Sequence, residues 1–300
     1  MKDFLEEKLE HVRELVRSYG KLASSCVLLF IAVWFLVDSV QHFVPRTLRV
    51  TFFDVGQGDA IFVQTPGGHD MLIDGGPNNK VLEGLGEKMK YSDTSIDVVV
   101  ATHADADHIT GLIPVFEKYN VSHVIESPVD GASATFYDLA RHVQKEASHV
   151  YVARRGDVID FGDGVIAHVL YPGAYVSPKT DTNDASVSLL LVYGEHSFLL
   201  TGDLTSAYES QVVRDVVPKN VTVYKAGHHG SKTSSSEALL KRIKPEYAVI
   251  SAGKDNRYGH PAPEALTRLE KHAQEILSTI DHGALSFVSD GRMLEVEKER

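Results

Sequence analysis

Cysteine is all but absent from these 300 residues, with Cys26 the only one. A lone thiol excludes an intramolecular disulfide and any zinc site built on cysteine pairs, so a metal bound here must use histidine and carboxylate. Net positive charge is missing as well. The 30 Lys and Arg face 41 Asp and Glu, a balance of −11 that argues against a protein coating duplex nucleic acid over a wide surface. Short-period repeats and low-complexity tracts are also lacking. The 43% apolar content suits one large α/β domain or two small ones.

Long charge-free runs are scarce, and Leu22 to Val37 stands out. As a helix it spans about 24 Å, short of the roughly 30 Å hydrocarbon layer. Extending it to Val44 takes in Asp38, Gln41 and His42, which suit the headgroup level with Trp34 just inside. The expectation is one transmembrane helix over 22–44, preceded by an amphipathic cytoplasmic segment over 1–21 that mixes five basic with five acidic residues. A cleaved signal peptide fits less well, because the polar lead is long and no Ala-x-Ala-like site follows; a soluble helix is the third reading. Basic residues dominate before the span and only Arg46 and Arg49 follow closely. This bias predicts a single-pass cell-membrane protein with an extracytoplasmic body over 46–300.

From Leu48 onward, short apolar runs alternate with Gly, Pro and Asp clusters, which is α/β organisation. Strands are expected over 48–54, 60–65, 70–74, 97–102, 122–126, 149–152, 164–171, 186–193, 196–201, 221–225, 246–251 and 284–296. Helices are expected over 110–118, 134–147, 205–215, 235–243 and 262–276. Two similar halves of this kind fit two sheets packed face to face with helices outside.

Chemistry concentrates after the buried-strand run Ile96 to Ala101, in Thr102-His103-Ala104-Asp105-Ala106-Asp107-His108. Alternate residues of an extended segment can aim His103, Asp105 and Asp107 at one point, and His108 adds a donor from the next turn. Leu72-Ile73-Asp74-Gly75-Gly76 and Leu199-Leu200-Thr201-Gly202-Asp203-Leu204 each end a strand in an acid beside glycine, which alone reads as a turn. Gly227-His228-His229-Gly230-Ser231-Lys232 sets a histidine pair between glycines, a placement that favours a ligand. Asn256-Arg257-Tyr258-Gly259-His260-Pro261 reads as a loop that carries function or a cap.

These segments, together with Phe53-Asp54-Val55-Gly56-Gln57-Gly58-Asp59-Ala60, stand in the order seen in metallo-β-lactamase-fold hydrolases, and the chain resembles the ComEC/Rec2-like branch. The resemblance covers roughly 48–296. It implies an αβ/βα four-layer sandwich with two mixed sheets and two divalent metal ions at one sheet edge. His103 and Asp105 would bind the first metal, Asp107 and His108 the second, with Asp203 bridging and His228 the late ligand. Asp74 would orient the ligand loop without touching metal. Gln57, Asp59, Asn183 and Ser186 fall in matching motifs as further groups around the metals or the substrate.

Two departures from the superfamily pattern follow that branch: Asp105 replaces the middle histidine of His-x-His-x-Asp-His, and Asp181 to Ser186 stands where a histidine is usual. Harder oxygen donors shift preference from zinc toward manganese. With metal-activated water as nucleophile, Asp107 takes part directly, His260 contacts phosphate or acts as acid, and His229 stands behind it. Ser231 and Lys232 would contact a phosphate oxygen, or Ser231 would cap the helix beginning near Ser235. Seven basic residues against three acids between Lys225 and Arg257 suggest a local basic rim for a phosphodiester substrate, such as DNA. The alternatives are hydrolysis of a phosphocholine ester, lactone, thioester or lactam, and a non-catalytic accessory of a membrane DNA-uptake channel.

Overall fold

The computed structural model describes residues 8, 10, 13, 19–21, 25–34, 47–173, 175–213 and 217–300. The chain divides into Met1–Pro45 and Arg46–Arg300. In the first unit, residues 25–34 are helical and exposed. No helix among the described residues is long and apolar enough to cross a membrane. Much of the anchor expected over 22–44 lies outside the described residues.

The second unit holds two sheets. In spatial order the first is β15 (Leu294–Lys298), β14 (Leu285–Ser289), β1 (Leu48–Phe52), β2 (Ile61–Gln64), β3 (Asp70–Ile73), β4 (Ser95–Ala101), β5 (Asn120–Glu126) and β6 (His149–Val152). The second is β13 (Glu275–Ser278), β12 (Tyr247–Ile250), β11 (Val223–Lys225), β10 (His196–Leu200), β9 (Ser188–Tyr193), β8 (Val165–Tyr171) and β7 (Val158–Asp160). Both are mixed. β3 to β6 run parallel, as do β10 to β13, and the remaining pairs are antiparallel.

Period-two alternation sorts each strand into layers. Met71 and Ile73 of β3, Val98 and Val100 of β4, Leu189 and Leu191 of β9, and Phe198 and Leu200 of β10 meet between the sheets. Their neighbours Leu72 and Val99 pack outward under helices Lys80–Lys88, Leu112–Lys118 and Ala134–Glu146. On the opposite outer face Leu190, Leu199 and Ala248 lie under Ser206–Val212, Glu237–Ile243 and Pro263–His272. With both faces covered, these strands read as continuous apolar runs, and each buried Leu, Ile or Phe contributes about 1.5–3 kcal/mol.

Several expected boundaries move. Helix Lys80–Lys88 escapes a periodicity scan because Gly84 and Gly86 dilute it, yet a Cβ on Gly84 would lie 2.5 Å from the Phe53 ring, so packing requires the glycine. The run 284–296 is a hairpin, β14 and β15, rather than one strand. The helix expected over 262–276 ends at His272 and gives way to β13, while three-residue β7 carries too little pattern to be seen. The helix expected over 110–118 is Leu112–Lys118, and a separate single turn, Ala106–Ile109, precedes it, with Thr110 and Gly111 between them. A Cβ on Gly111 would sit 1.9 Å from the Gly75 carbonyl, so the glycines pin the segment after β3 against the segment after β4.

Candidate metal centre

The chemical segments all leave carboxyl ends of strands: Asp74 follows β3, His103 to His108 follow β4, Asp203 follows β10, and His228 and His229 follow β11. Two sheets whose parallel strands end on the same side thus deliver donors from both halves of the sequence to one place.

Four donors converge tightly. His108 Nε2 lies 3.3 Å from Asp203 Oδ2 and 3.3 Å from His229 Nε2. His229 Nε2 is 3.3 Å from Asp203 Oδ2 and 3.5 Å from Asp107 Oδ2. A tetrahedral cation bound at about 2.0–2.1 Å needs donors roughly 3.3–3.4 Å apart, and the His108 Nε2, His229 Nε2 and Asp203 Oδ2 atoms meet that spacing with one another. Beside it, His228 Nε2 is 3.5 Å from Asp203 Oδ2, and His103 Nε2 is 3.9 Å from Asp105 Oδ2. The His103 Nε2, Asn183 Oδ1 and Asp203 Oδ1 atoms are buried without a hydrogen-bond partner. Orphaned buried polar atoms are costly, and donors of this kind suit a cation. Asp59, His108, Asp203 and His229 also offer ligand atoms within 4.8 Å of one another.

Outer contacts aim these groups. Asp74 accepts from Thr102 N at 2.8 Å and Thr102 Oγ1 at 2.7 Å, and pairs with His108 Nδ1 at 2.7 Å, turning Nε2 toward Asp203. Asp203 N donates to Ser186 Oγ at 3.2 Å, and Thr182 Oγ1 donates to Asp105 Oδ1 at 2.6 Å. Asp59 is wholly buried between Lys225 Nζ at 2.6 Å and His229 Nδ1 at 3.3 Å. Gly58 permits this, since a Cβ there would lie 2.1 Å from the Asp107 carbonyl.

The backbone is strained at the same place. Asp74, His228 and His229 have φ of 58°, 49° and 55°. The left-handed region costs a non-glycine residue roughly 1–3 kcal/mol, and such outliers persist where surrounding contacts hold them.

Charge is concentrated too. Burial opposes ionisation of Asp203, but His229 and His108 hold its carboxyl well below the usual range. Burial would also depress His108 and His229; Asp203 with Asp74 raises His108 well above the ordinary value, and Asp203 with Asp59 raises His229 to about 10. Burial and His108 lower His103 to about 4. A carboxylate excess that draws protons onto two buried histidines is a site suited to cations.

Some residues stand elsewhere than expected. His229 is fully buried in the donor cluster, with Nδ1 at 2.9 Å from the Ser251 carbonyl, so it does not face substrate as an acid. Ser231 is buried and bonded to Thr233, and Ser236 rather than Ser231 caps helix Glu237–Ile243, so Ser231 has neither expected role. Lys232 is exposed. The basic rim is thinner than its sequence count, because Lys225 is buried on Asp59 and Arg242 donates to the carbonyls of Val217 and Pro218. His260 lies at the mouth, Nδ1 3.5 Å from Gln57 Nε2; burial and His228 push it down to about 4. It is therefore neutral near pH 7, suited to hydrogen bonding rather than to carrying charge. Asp59 and Lys225 as a buried pair were hidden in sequence, where a lysine ending a buried strand was the available signal; the histidine pair was legible, but not which member turns inward.

This fold and donor set are those of a metal-dependent hydrolase class, and residues 53–254 match the Metallo-beta-lactamase superfamily, to which the chain belongs. Its relatives include ComE operon protein 3 of Bacillus subtilis (strain 168), 30% identical over 256 residues, and Competence protein ComA of Neisseria gonorrhoeae, 32% identical over 240. The alignments take in 80% and 79% of this chain but 33% and 32% of those proteins, so the chain spans about a third of their length. Among solved structures, CmlA, a diiron beta-hydroxylase from Streptomyces venezuelae, aligns with a TM-score of 0.50 at 14% identity, covering 81% of this chain and 54% of that one. That likeness concerns the fold alone.

Proposed function

We propose that this protein is a phosphodiesterase acting on nucleic acid with metal-activated water at a two-metal site, held at a membrane by its amino-terminal segment. The observation that carries the reading is the cluster of buried His103, His108, Asp203 and His229 with the partly exposed Asp105, Asp107 and His228 beside them, in which donor atoms are orphaned and the His108, His229 and Asp203 atoms stand at tetrahedral spacing. Divalent cations held there would supply an acidified water and would neutralise charge developing on the phosphoryl oxygens. Asp107, His108, Asp203 and His229 form the tighter donor set, and His103, Asp105 and Asn183 the more open one beside it. Asp74 holds His108, while Asp59 and Lys225 hold His229. His260 at the mouth offers a hydrogen bond to a substrate oxygen. The oxygen-rich open set supports manganese over zinc.

The test is hydrolysis of DNA and a bis-aryl phosphodiester by the full-length protein in manganese, beside a phosphocholine ester, a lactone and a lactam. Diester cleavage that disappears in Asp107→Ala supports the reading. Full activity in that variant, or faster turnover of the other substrates, overturns it. A second reading, a non-catalytic accessory of a larger competence assembly, is favoured by the competence proteins among the relatives. Cation binding without hydrolysis of any substrate would select it. Protease accessibility in intact cells tests the anchor and an extracytoplasmic body.

A further inference from the structure

The loop at the mouth of the cluster, residues 253–260, is fixed from within. Asn256 Oδ1 accepts from Tyr258 N at 3.1 Å and His260 N at 3.0 Å, and its Nδ2 donates to the Gly253 carbonyl at 2.9 Å. This tie holds Tyr258 outward, 53% exposed, with its ring stacked on His260 at 5.8 Å and 24°. His260 in turn meets His228 edge-on at 5.4 Å, and the Arg257 guanidinium lies 4.9 Å from the Tyr258 ring centre. A ladder of flat groups therefore runs from the donor cluster to solvent. Arg257 and Tyr258 line a cavity of about 440 Å³ that also takes in Lys80, Asn78 and Asp107. Tyr258 belongs to none of the three apolar clusters that stabilise the fold, so packing does not account for it.

We propose that this cavity receives an unpaired nucleobase adjoining the scissile phosphodiester, stacked on Tyr258 in the place the Arg257 guanidinium now takes over that ring, with Arg257 moving to join Lys80 on the flanking phosphates. The inference rests on the phosphodiesterase reading and narrows its substrate to single-stranded nucleic acid. Every base has a π-face, so an aromatic platform binds without regard to sequence, whereas bases within a duplex already have both faces covered. Cations bound at the donor cluster would also suit a chain of net charge −11, because they would hold a few phosphates near the cut without a broad basic face.

Full-length protein stripped of metal by a chelator is titrated, by fluorescence anisotropy, with a short homopolymeric deoxyoligonucleotide, the same strand made abasic, and the corresponding duplex. The normal strand is expected to bind about tenfold tighter than the abasic one, Tyr258→Leu to bring that ratio to near one, and Tyr258→Trp to restore it. Lys80→Ala with Arg257→Ala should flatten the salt dependence for all strands. Equal binding of normal and abasic strands, duplex preference, or an unchanged ratio in Tyr258→Leu at an unaltered circular dichroism spectrum overturns the proposal. Cleavage in manganese separates it from the underlying reading: a Tyr258-dependent ratio without cleavage of any diester removes the hydrolase, and cleavage without base dependence removes the stacking site.

Discussion

Strand β3 has a buried aspartate at each end, Asp70 at its start and Asp74 after its last residue, and the two sit in acid clusters of opposite character. Around Asp74 the carboxylates of Asp59, Asp107 and Asp203 are matched by His108, His229 and Lys225. Burial resists their ionisation, yet these cations hold Asp59 and Asp203 well below the usual range and Asp107 at about 2. Around Asp70 no such set of buried cations exists among the described residues: burial, then Asp93 and Asp97, push its carboxyl up to about 7. Acids gathered at a strand end do not make a metal centre. Imidazoles aimed at the same point and donor atoms left without partners do.

The sharpest way to break this contrast is Asp203→Ala, which removes the carboxylate shared by His108, His228 and His229. A loss of about 10⁴-fold in hydrolysis, roughly 5.5 kcal/mol, is expected, with loss of metal measured by elemental analysis after dialysis. Retained metal and activity would place the centre elsewhere. Next is Lys225→Met, which leaves Asp59 buried without its cation and should destabilise by about 3–5 kcal/mol in urea unfolding. Adding Asp59→Asn should recover a good part of that; a double variant no better than the single one contradicts the pairing.

A smaller effect belongs to Asp74→Asn. Loss of the carboxylate behind His108 Nδ1 should weaken metal affinity about 10–100-fold in competition with a chelating dye, with the fold intact by circular dichroism. Asp70→Asn is the mirror experiment, and its effect is the mildest. The folded pKa of Asp70 is raised to about 7, so the neutral form is favoured in the folded state, and the associated stability is complete below the unfolded value near 4 and lost as pH rises through about 7. The variant should therefore raise Tm by about 2–4 °C at pH 8 and leave it unchanged at pH 4. Equal gains at both pH values would show that burial of charge at Asp70 is not the cause.

Legibility followed locality. His103, Asp105, Asp107 and His108 were readable because one short loop after an evident strand carries them, and Asp74 because an acid and two glycines close a strand. His228 and His229 were readable only as a pair. Spacing cannot say which of two neighbours points inward, and here consecutive left-handed residues turn His229 Nε2 into the tight donor set and leave His228 at its edge. The buried pair of Asp59 and Lys225 joins residues from separate sheets, so no local pattern announces it. For the same reason a basic count from Lys225 to Arg257 overstated the rim.

The sequence by itself determined the layers, because strict alternation assigns Met71, Leu72 and Ile73 to opposite faces of one strand, and it determined the donor types, because a chain with one cysteine must bind metal through imidazole and carboxylate. Tertiary structure alone decided which donors meet. Parallel strand ends from two sheets bring Asp107 and His108 to Asp203 and His229, and distances of 3.3–3.5 Å between groups about a hundred or more positions apart are fixed by packing of the whole sandwich rather than by any local preference.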